Sequence, residues 1–280
     1  MESTLRPVVG EEIRLAECAT EPIHIPGSIQ PHGALITVSA NSFEILQVSA
    51  NTKQIFGIDS NDLLGKSVGF ILSEEWLRDL CAGELSRLAN PYFAEIDGNT
   101  FDLIIHRSGE TIIVEFELIS SWDTRLVPEL NAAIRRISKT LDIETLRACA
   151  VTEIRELVRF DRVVLYYFYP DGHGEVVAED RLPELEPFLH QHFPASDIPA
   201  QARNLYLKKA SQLIATSTYT PVPLTPTLDP TTGKPLDLSL PELRSVSPHH
   251  LEYMRNIGTA ATVSLFSTGG EADRHDHGER

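Results

Sequence analysis

The sequence has few of the features that mark secreted, membrane-spanning or nucleic-acid-binding proteins. Its three cysteines, Cys18, Cys81 and Cys149, are too scattered for a disulfide framework or a paired metal site. Its apolar runs, such as 163–169, are far too short to span a bilayer. Lysine and arginine number 24 against 40 acidic residues, and the formal net charge of −16 argues against a nucleic-acid backbone as the main partner.

Other absences narrow the function further. Residues 1–10 show neither an apolar core nor the cleavage pattern of a secretory signal, so we expect a cytoplasmic protein with reduced thiols. The sequence shows no nucleophile–base pair and no phosphate-binding loop, so we do not expect an enzyme. The chain of 280 residues, 42 % hydrophobic and 23 % charged, suits two globular domains.

In the first half, the residue pattern predicts a sheet with helices between its strands. Strands are predicted at 33–38, 43–48, 101–107 and 111–119, and helices at 51–56, 59–64 and 74–88. In the last of these strands Val114 and Phe116 alternate with Glu115 and Glu117. This alternation predicts a sheet with one face in water.

The second half alternates helices and strands around a long irregular segment. Apolar residues at helical spacing over 128–160 predict helices, with a break at Asp142, which suits an N-cap. Between 216 and 248, six prolines predict irregular structure, either a floppy surface loop or a functional insertion. The other predicted elements are strands 162–169 and 175–180, a helix around 185–192, and a helix that follows Ser247 and ends at Gly258.

Residues 193–206 predict a rigid turn that leads into a helix. Pro194 and Pro199 each fix φ and remove a backbone donor, and Pro199 suits the first turn of an amphipathic helix over 200–209. Asp197 then lies beside the helix start, where N–H groups without partners favour a carboxylate. On physical grounds alone, an Asp-capped turn is the simplest interpretation.

The order of residues 194–199, Pro-Ala-Ser-Asp-Ile-Pro, resembles a signature of phytochromes, the bilin-binding red-light receptors. Two further segments resemble the same family: 21–33, which begins Glu-Pro-Ile-His-Ile-Pro-Gly, and 243–258, which begins Leu-Arg-Ser-Val-Ser-Pro. The resemblance implies an α+β or α/β fold in which a PAS domain is followed by a GAF domain. In this family an insertion wraps around the N-terminal segment in a knot, and 216–248 looks like that insertion.

The resemblance also implies domain boundaries. These are an N-terminal segment 1–22 with the attachment cysteine, a PAS domain 23–125, a linker helix 126–145, a GAF domain 146–266 and a tail 267–280. After Phe266 the family would continue with a further pair of strands, which is replaced here by a polar stretch. We therefore expect a GAF domain truncated before its C-terminal strands and a disordered tail, in a chain that binds bilin poorly and does not signal by itself.

The cofactor that the resemblance implies is biliverdin, a linear tetrapyrrole with two propionates. Cys18 matches the position that attaches the pigment covalently in bacterial members, a reaction that needs an accessible thiolate. Arg244 offers a guanidinium fork to one propionate, and the backbone carbonyl of Asp197 would accept from the pyrrole nitrogens, with His250 beside them. Hydroxyls for the remaining propionate oxygens are expected from Ser247, Tyr206, Thr262 and Ser264. Contacts with the rings are expected from Tyr166, Phe193, Ile198 and Tyr253, and Pro199 is expected to belong to the same binding site.

A red/far-red photoreceptor is therefore the leading hypothesis. Its expected partners are the bilin and either a second copy of the chain or a full-length phytochrome with a histidine-kinase output. No membrane, nucleic acid or metal is expected. Two alternatives stay open: a light-insensitive PAS–GAF interaction protein, and a non-covalent haem or small-ligand sensor that uses the same folds.

Overall fold

The computed structural model describes residues 21–82, 90–119, 124–209 and 211–267. The chain divides into two compact units. The unit formed by 20–120 and 201–280 contains a seven-stranded sheet, and we call it the sheet unit. The unit formed by 1–19 and 121–200 contains a β-hairpin and two helices, and we call it the hairpin unit. The domain boundaries expected from the sequence stay a prediction.

The described residues form twelve strands and seven α-helices, each numbered in chain order. The strands are β1 Ser28–Ile29, β2 Gly33–Ser39, β3 Ile45–Ser49, β4 Tyr92–Ile96, β5 Asn99–Ser108, β6 Thr111–Leu118, β7 Arg162–Phe168, β8 Gly174–Arg181, β9 His192–Phe193, β10 Ser211–Ile214, β11 Val222–Thr225 and β12 Thr262–Leu265. The helices are α1 Thr52–Phe56, α2 Ser60–Leu63, α3 Glu74–Ala82, α4 Leu126–Ile137, α5 Ile143–Val158, α6 Ala200–Tyr206 and α7 Pro248–Asn256.

Seven antiparallel strands form the large sheet, in the order β1-β11-β3-β2-β6-β5-β4. Strand β2 pairs with β6 from Gly33, opposite Glu117, to Ser39, opposite Thr111. The strands and helices predicted for this part of the chain are confirmed, with small shifts in their bounds. Helix α3 is described as far as Ala82, and the rest of the predicted helix 74–88 lies outside the described residues.

One face of the large sheet carries the main core of the unit. Phe56 of α1 lies against the sheet, with its ring centroid 4.7 Å from that of Phe116. Phe101 and Phe116 are fully buried, and Val114 points into the same cluster. Loss of one such phenylalanine from a packed core costs about 3–5 kcal/mol, so this face accounts for much of the stability of the unit.

The alternation on β6 predicted that the opposite face of the sheet is in water, and this prediction is wrong. Glu115 is fully buried there, because the insertion 216–248 lies across this face. Residues of the sheet and of the insertion form a second buried cluster, which consists of Ile29, Leu35, Ile113, Leu224, Leu236, Leu238 and Leu243. Alternation shows which side chains share a face, but it cannot show that a distant segment covers that face.

The insertion encloses the segment 24–30. On one side of this segment, β11 pairs with β1. On the other side, the N–H of Leu238 donates to the carbonyl of His24 at 2.8 Å, and the N–H of Ser245 donates to the carbonyl of Ser28 at 3.2 Å. The segment is therefore hydrogen-bonded to the insertion along both edges. This is the threaded arrangement that the phytochrome resemblance implies, and it is not that of a floppy surface loop.

The hairpin unit combines helices α4 and α5 with the three-stranded sheet β7-β8-β9. Helix α5 begins where Asp142 predicts, since the Asp142 carboxylate accepts the N–H of Thr145 at 2.8 Å. Arg136 of α4 donates through two guanidinium nitrogens to the carboxylate of Glu153 on α5. The paired charges join the two helices side by side.

The helix predicted around 185–192 is wrong, because the structure has turns and extended backbone there. Pro187 lies in the middle of this stretch and cannot donate to a helical hydrogen bond. The carboxylate of Glu179 on β8 instead accepts the N–H groups of Phe188 and Leu189, at 2.8 and 3.0 Å. Hydrogen bonds to a side chain of the neighbouring strand therefore determine the backbone here, and the local apolar spacing does not. Of the tail expected to be disordered, 267–280, all but residue 267 lies outside the described residues.

Candidate functional site

The motif 194–199 forms the turn that its two prolines predict. The N–H of Asp197 donates to the carbonyl of Pro194 at 3.1 Å, and helix α6 begins at Ala200, directly after the motif. The Asp197 side chain is exposed, yet desolvation by its neighbours raises the pKa of its carboxyl, against the hydrogen bond from Ser196, which lowers it. The turn directly before the first residue of α6 thus presents a carboxylate.

Two aromatic residues expected to contact the pigment lie together in the hairpin unit. The rings of Tyr166 and Phe193 have centroids 6.0 Å apart. Tyr166 packs flat on the backbone of Gly174, where a Cβ atom would lie only 2.1 Å from the ring. Glycine is therefore required at residue 174 to keep the Tyr166 ring in this position.

Arg244 is a buried cation in the sheet unit, with 5 % of its surface exposed. Its guanidinium donates to the side-chain oxygen of Gln212 at 2.8 Å and to the carbonyl of Ile23 at 3.1 Å. Its Nε–H has no hydrogen-bond partner, and no ion pair of Arg244 with a carboxylate is found among the described residues. Desolvation lowers the pKa of this guanidinium. Arg244 therefore keeps a free donor, and the carboxylate of Glu242 acts on it electrostatically without forming a direct ion pair.

Two glutamines that the sequence analysis did not single out hold the backbone around Arg244. The buried side chain of Gln30 donates to the carbonyl of Leu213 at 2.7 Å and accepts the N–H of Ala215 at 3.1 Å. Gln212 is also buried and provides the oxygen that Arg244 contacts. No local pattern distinguishes these glutamines from exposed ones, because their partners lie far away in the sequence.

Tyr206 at the end of α6 stacks on Phe266, with ring centroids 3.6 Å apart. Both residues line a cavity of about 10 Å³ together with Arg244 and Gln212, room for about one water molecule. Desolvation raises the pKa of Tyr206, and the positive charge of Arg244 opposes that rise. The helix expected over 200–209 is shorter than predicted, since its last turn tightens beyond Tyr206.

Helix α7 begins as its sequence predicts. The Ser247 hydroxyl accepts the N–H of His249 at 3.2 Å, with Pro248 in the first turn. The same hydroxyl donates to the carboxylate of Glu21 at 2.5 Å. Ser247 is therefore occupied by two partners from the chain itself, and it must exchange Glu21 to bind another carboxylate.

His250 and Tyr253 lie on one face of α7, with ring centroids 6.3 Å apart. Both residues are exposed. The pKa of His250 is nevertheless lowered, first by desolvation and then by the positive charge of Arg244. A lowered pKa favours the neutral imidazole.

Thr262 and Ser264 point to the same half-buried side of β12, which pairs with β10. Ser264 lies opposite Gln212 in this pair. Among the residues that the sequence analysis selected, the structure thus gathers Arg244, Tyr206 and Ser264 around Gln212 in the sheet unit. Tyr166, Phe193, Asp197, Ile198 and Pro199 belong to the hairpin unit. Cys18, the expected attachment site, lies outside the described residues.

Comparison with known proteins shows the family of this chain. A family model described as a PAS fold matches residues 18–119. The crystal structure of the chromophore-binding domain of a Stigmatella aurantiaca bacteriophytochrome (a Thr289His mutant in the Pr state) is 37 % identical, with a TM-score of 0.81 over 89 % of this chain and 85 % of that one. The chain belongs to the phytochrome family. The PAS–GAF fold class expected from the sequence is thereby confirmed.

Other relatives give the same assignment for this phytochrome. The chromophore-binding domain of an unusual bacteriophytochrome from R. palustris is 38 % identical, with a TM-score of 0.80 over 89 % of this chain and 84 % of that one. A bacteriophytochrome of Pseudomonas aeruginosa is 40 % identical over 262 residues, which are 90 % of this chain and 35 % of that protein. The chain thus spans about a third of the length of the curated relatives that it matches. Among the described residues no helix has the length and apolar character needed to cross a membrane.

Proposed function

We propose that this phytochrome chain binds a linear tetrapyrrole, biliverdin, and serves as a red/far-red light receptor. The observation that carries the proposal is the environment of Arg244. A buried guanidinium with an unpaired Nε–H and no direct ion pair among the described residues is costly unless an anion binds there. A propionate of the pigment is such an anion, and the relatives include the chromophore-binding domains of bacteriophytochromes.

The donors around Arg244 fit a carboxylate. The fork of Arg244 offers one free N–H, and the hydroxyls of Tyr206 and Ser264 belong to the same group of residues. A charge-assisted hydrogen bond of this kind contributes about 1.5–3 kcal/mol. The adjacent cavity of about 10 Å³ matches one small polar group rather than a whole pigment. This site would therefore hold the carboxylate end of biliverdin.

The family resemblance, rather than the geometry, assigns the remaining contacts. We propose Cys18 as the covalent attachment site, and the carbonyl of Asp197 as the acceptor for the pyrrole N–H groups, with His250 beside it. When bound, biliverdin supplies light absorption and isomerisation at a double bond, and the protein supplies orientation and charge. The other proposed binding residues are Tyr166, Phe193, Ile198, Pro199, Ser247, Tyr253 and Thr262.

We propose no catalytic activity for this chain. Signalling would instead pass to a second copy or to a full-length phytochrome with a histidine-kinase output, in the cytoplasm. The role of the chain in that assembly is to hold the pigment and to change hydrogen bonds around it when light changes its shape.

The test is to mix the purified chain with biliverdin and record its absorption spectrum before and after red and far-red illumination. A red-region band that converts reversibly supports the proposal. The absence of any such band overturns it and favours an interaction protein, whereas a Soret band after mixing with haem favours a haem sensor. Replacement Cys18→Ser should abolish the zinc-dependent fluorescence of bilin on a denaturing gel, and its persistence would reject Cys18 as the anchor.

A further inference from the structure

Glu115 lies at the centre of the sheet unit, on the face that the insertion covers. The residue is fully buried, and its carboxylate accepts the N–H of Leu243 at 2.6 Å. The carbonyl of the same Leu243 accepts the N–H of Gln30 at 2.7 Å. Both backbone groups of Leu243 are thus fixed by the N-terminal part of the chain. Arg244 is the next residue, so these two hydrogen bonds hold the backbone that leads into it.

The neighbouring residues of the insertion are held as well, but by a different group. The ammonium of Lys209 donates to the carbonyl of Pro241 at 2.7 Å and pairs with the carboxylate of Glu242 at 3.0 Å. Glu242 also accepts from the hydroxyl of Ser211 at 3.0 Å. Lys209 and Ser211, which make these contacts, follow α6 in the sequence and do not belong to the large sheet. Among the described residues, Glu115 is therefore the charged residue of the large sheet whose side chain is hydrogen-bonded to the segment 241–244.

Burial of a carboxylate on a strand of the PAS fold is unfavourable unless its oxygens find partners, because desolvation penalises its charge. Its second oxygen lies 3.2 Å from Nε2 of His106 on the paired strand β5. This oxygen has no partner with hydrogen-bond geometry, so the contact with Leu243 is the hydrogen bond that the described residues give to Glu115. An apolar residue of similar size at 115 would leave the N–H of Leu243 without this acceptor.

We propose that Glu115 is a positioning residue for anion binding: by fixing the backbone N–H of Leu243, it sets the position from which Arg244 reaches the carboxylate of the pigment. The proposal rests on the proposed function of Arg244 and extends the site to a PAS strand. The length of the Glu115 side chain brings its oxygen to Leu243. This length therefore matters more for the position of Arg244 than the charge does. Binding sites lose affinity when a supporting contact of this kind lets the primary residue move.

The chain offers a matched control on the same face of the same strand. Glu117, two residues further along β6, also faces a histidine, with 3.5 Å between its carboxylate and Nε2 of His32. It makes no hydrogen bond to the insertion in the described part of the chain. The variants Glu115→Asp and Glu117→Asp shorten the two carboxylates equally and keep their charge. The variant Glu115→Gln keeps the length and an oxygen acceptor but removes the charge.

The measurement compares the affinity of each variant of the 280-residue chain for biliverdin and for biliverdin dimethyl ester, which lacks the anions. We expect wild type to prefer the acid. Glu115→Asp should lose about tenfold of this preference, the size of one charge-assisted hydrogen bond, while Glu117→Asp and Glu115→Gln keep most of it. An unchanged preference for the acid in Glu115→Asp overturns the proposal. A preference that Glu115→Asp retains and Glu115→Gln loses also overturns it, because the charge and not the length would then decide.

A second measurement needs no pigment. The Nε–H resonance of Arg244, identified by its loss in Arg244→Lys, should shift in Glu115→Asp and remain in place in Glu117→Asp. A resonance that stays in place in both variants overturns the positioning role. If wild type binds neither biliverdin nor its ester, the proposed function fails, and this measurement alone decides whether Glu115 positions Arg244.

Discussion

Gly33 and Leu243 lie so close together that only glycine fits at residue 33. A Cβ atom built on Gly33 would lie 2.8 Å from Cδ1 of Leu243 and 2.5 Å from the carbonyl oxygen of Phe116. Leu243 belongs to the buried cluster between the insertion and the sheet. The first residue of β2 therefore lets the returning segment of the insertion lie flat on the PAS sheet, directly before Arg244.

The replacement Gly33→Ala should therefore destabilise the protein by about 1–3 kcal/mol, the usual cost of overpacking a core. Chemical denaturation measures this change in the free energy of unfolding. Gly69→Ala is the control, because a Cβ atom there would meet only the exposed side chain of Ser67, with Oγ at 3.1 Å, and the half-buried side chain of Glu74. Equal stabilities of the two variants would show that Leu243 moves aside without cost.

Gln30 should be the polar side chain on which the base of the insertion depends most. The replacement Gln30→Leu removes the hydrogen bonds of Gln30 to the carbonyl of Leu213, which Gln212 also contacts, and to the N–H of Ala215, at a cost of about 1–3 kcal/mol. Denaturant unfolding, followed by fluorescence, measures the loss. Gln54→Leu on the exposed side of α1 is the matched control and should change the free energy little. A loss of similar size in both variants would contradict the assignment.

Elements with a strong local signal could be predicted from the sequence. The alternation of β6 gave the correct strand, and the side chains of Asp142 and Ser247 began their helices as expected. The motif 194–199 formed its turn because two prolines restrict the backbone whatever surrounds them. In each case the determining contacts lie within a few residues.

Features that depend on distant contacts could not be predicted in the same way. Glu115 was expected in water and is buried, because a segment more than a hundred residues later covers it. Gln30 and Gln212 were not selected, although they support Arg244. The family resemblance identified Arg244 itself. Sequence motifs therefore selected the candidate binding residues, but they did not reveal the residues that hold Arg244 in place.

Asp102 should be a residue whose charge lowers stability. It lies opposite Glu117 in the β5–β6 pair, and one of its oxygens is buried without a hydrogen-bond partner. Desolvation, and then repulsion from Glu117, raise the pKa of Asp102. A carboxyl with a raised pKa binds its proton more tightly in the folded state, so its charge destabilises the fold above that pKa and ceases to do so as the pH falls below it.

The replacement Asp102→Asn should accordingly stabilise the protein near neutral pH by about 0.5 kcal/mol, the size of a like-charge pair across two strands. The gain should vanish in acid, once Asp102 of the wild type is protonated. Unfolding measured across the acidic range tests the sign, with the exposed Asp79→Asn as control. A gain that persists below the pKa of a free carboxyl would show that charge is not its cause.

The strongest functional prediction concerns the chemistry of residue 244. Arg244→Lys keeps a positive charge but loses the planar fork, and Arg244→Gln loses both. If a carboxylate of biliverdin binds the free Nε–H, we expect affinity for biliverdin to fall about tenfold or more in the lysine variant and further in the glutamine variant. Titration followed by absorption in the red region measures both losses.

Because Arg244 also supports the insertion through Gln212 and the carbonyl of Ile23, the folding of each variant must be compared with that of wild type. Arg78→Lys is the control for an arginine-to-lysine change in the same unit, since Arg78 is exposed and pairs only with Glu74 among the described carboxylates. It should bind biliverdin as wild type does. The ester again separates the causes: loss of a carboxylate contact weakens binding of the free acid alone, whereas general disruption weakens binding of acid and ester equally. Folded variants at residue 244 that bind the acid as tightly as wild type would remove the anion site on which the photoreceptor proposal rests.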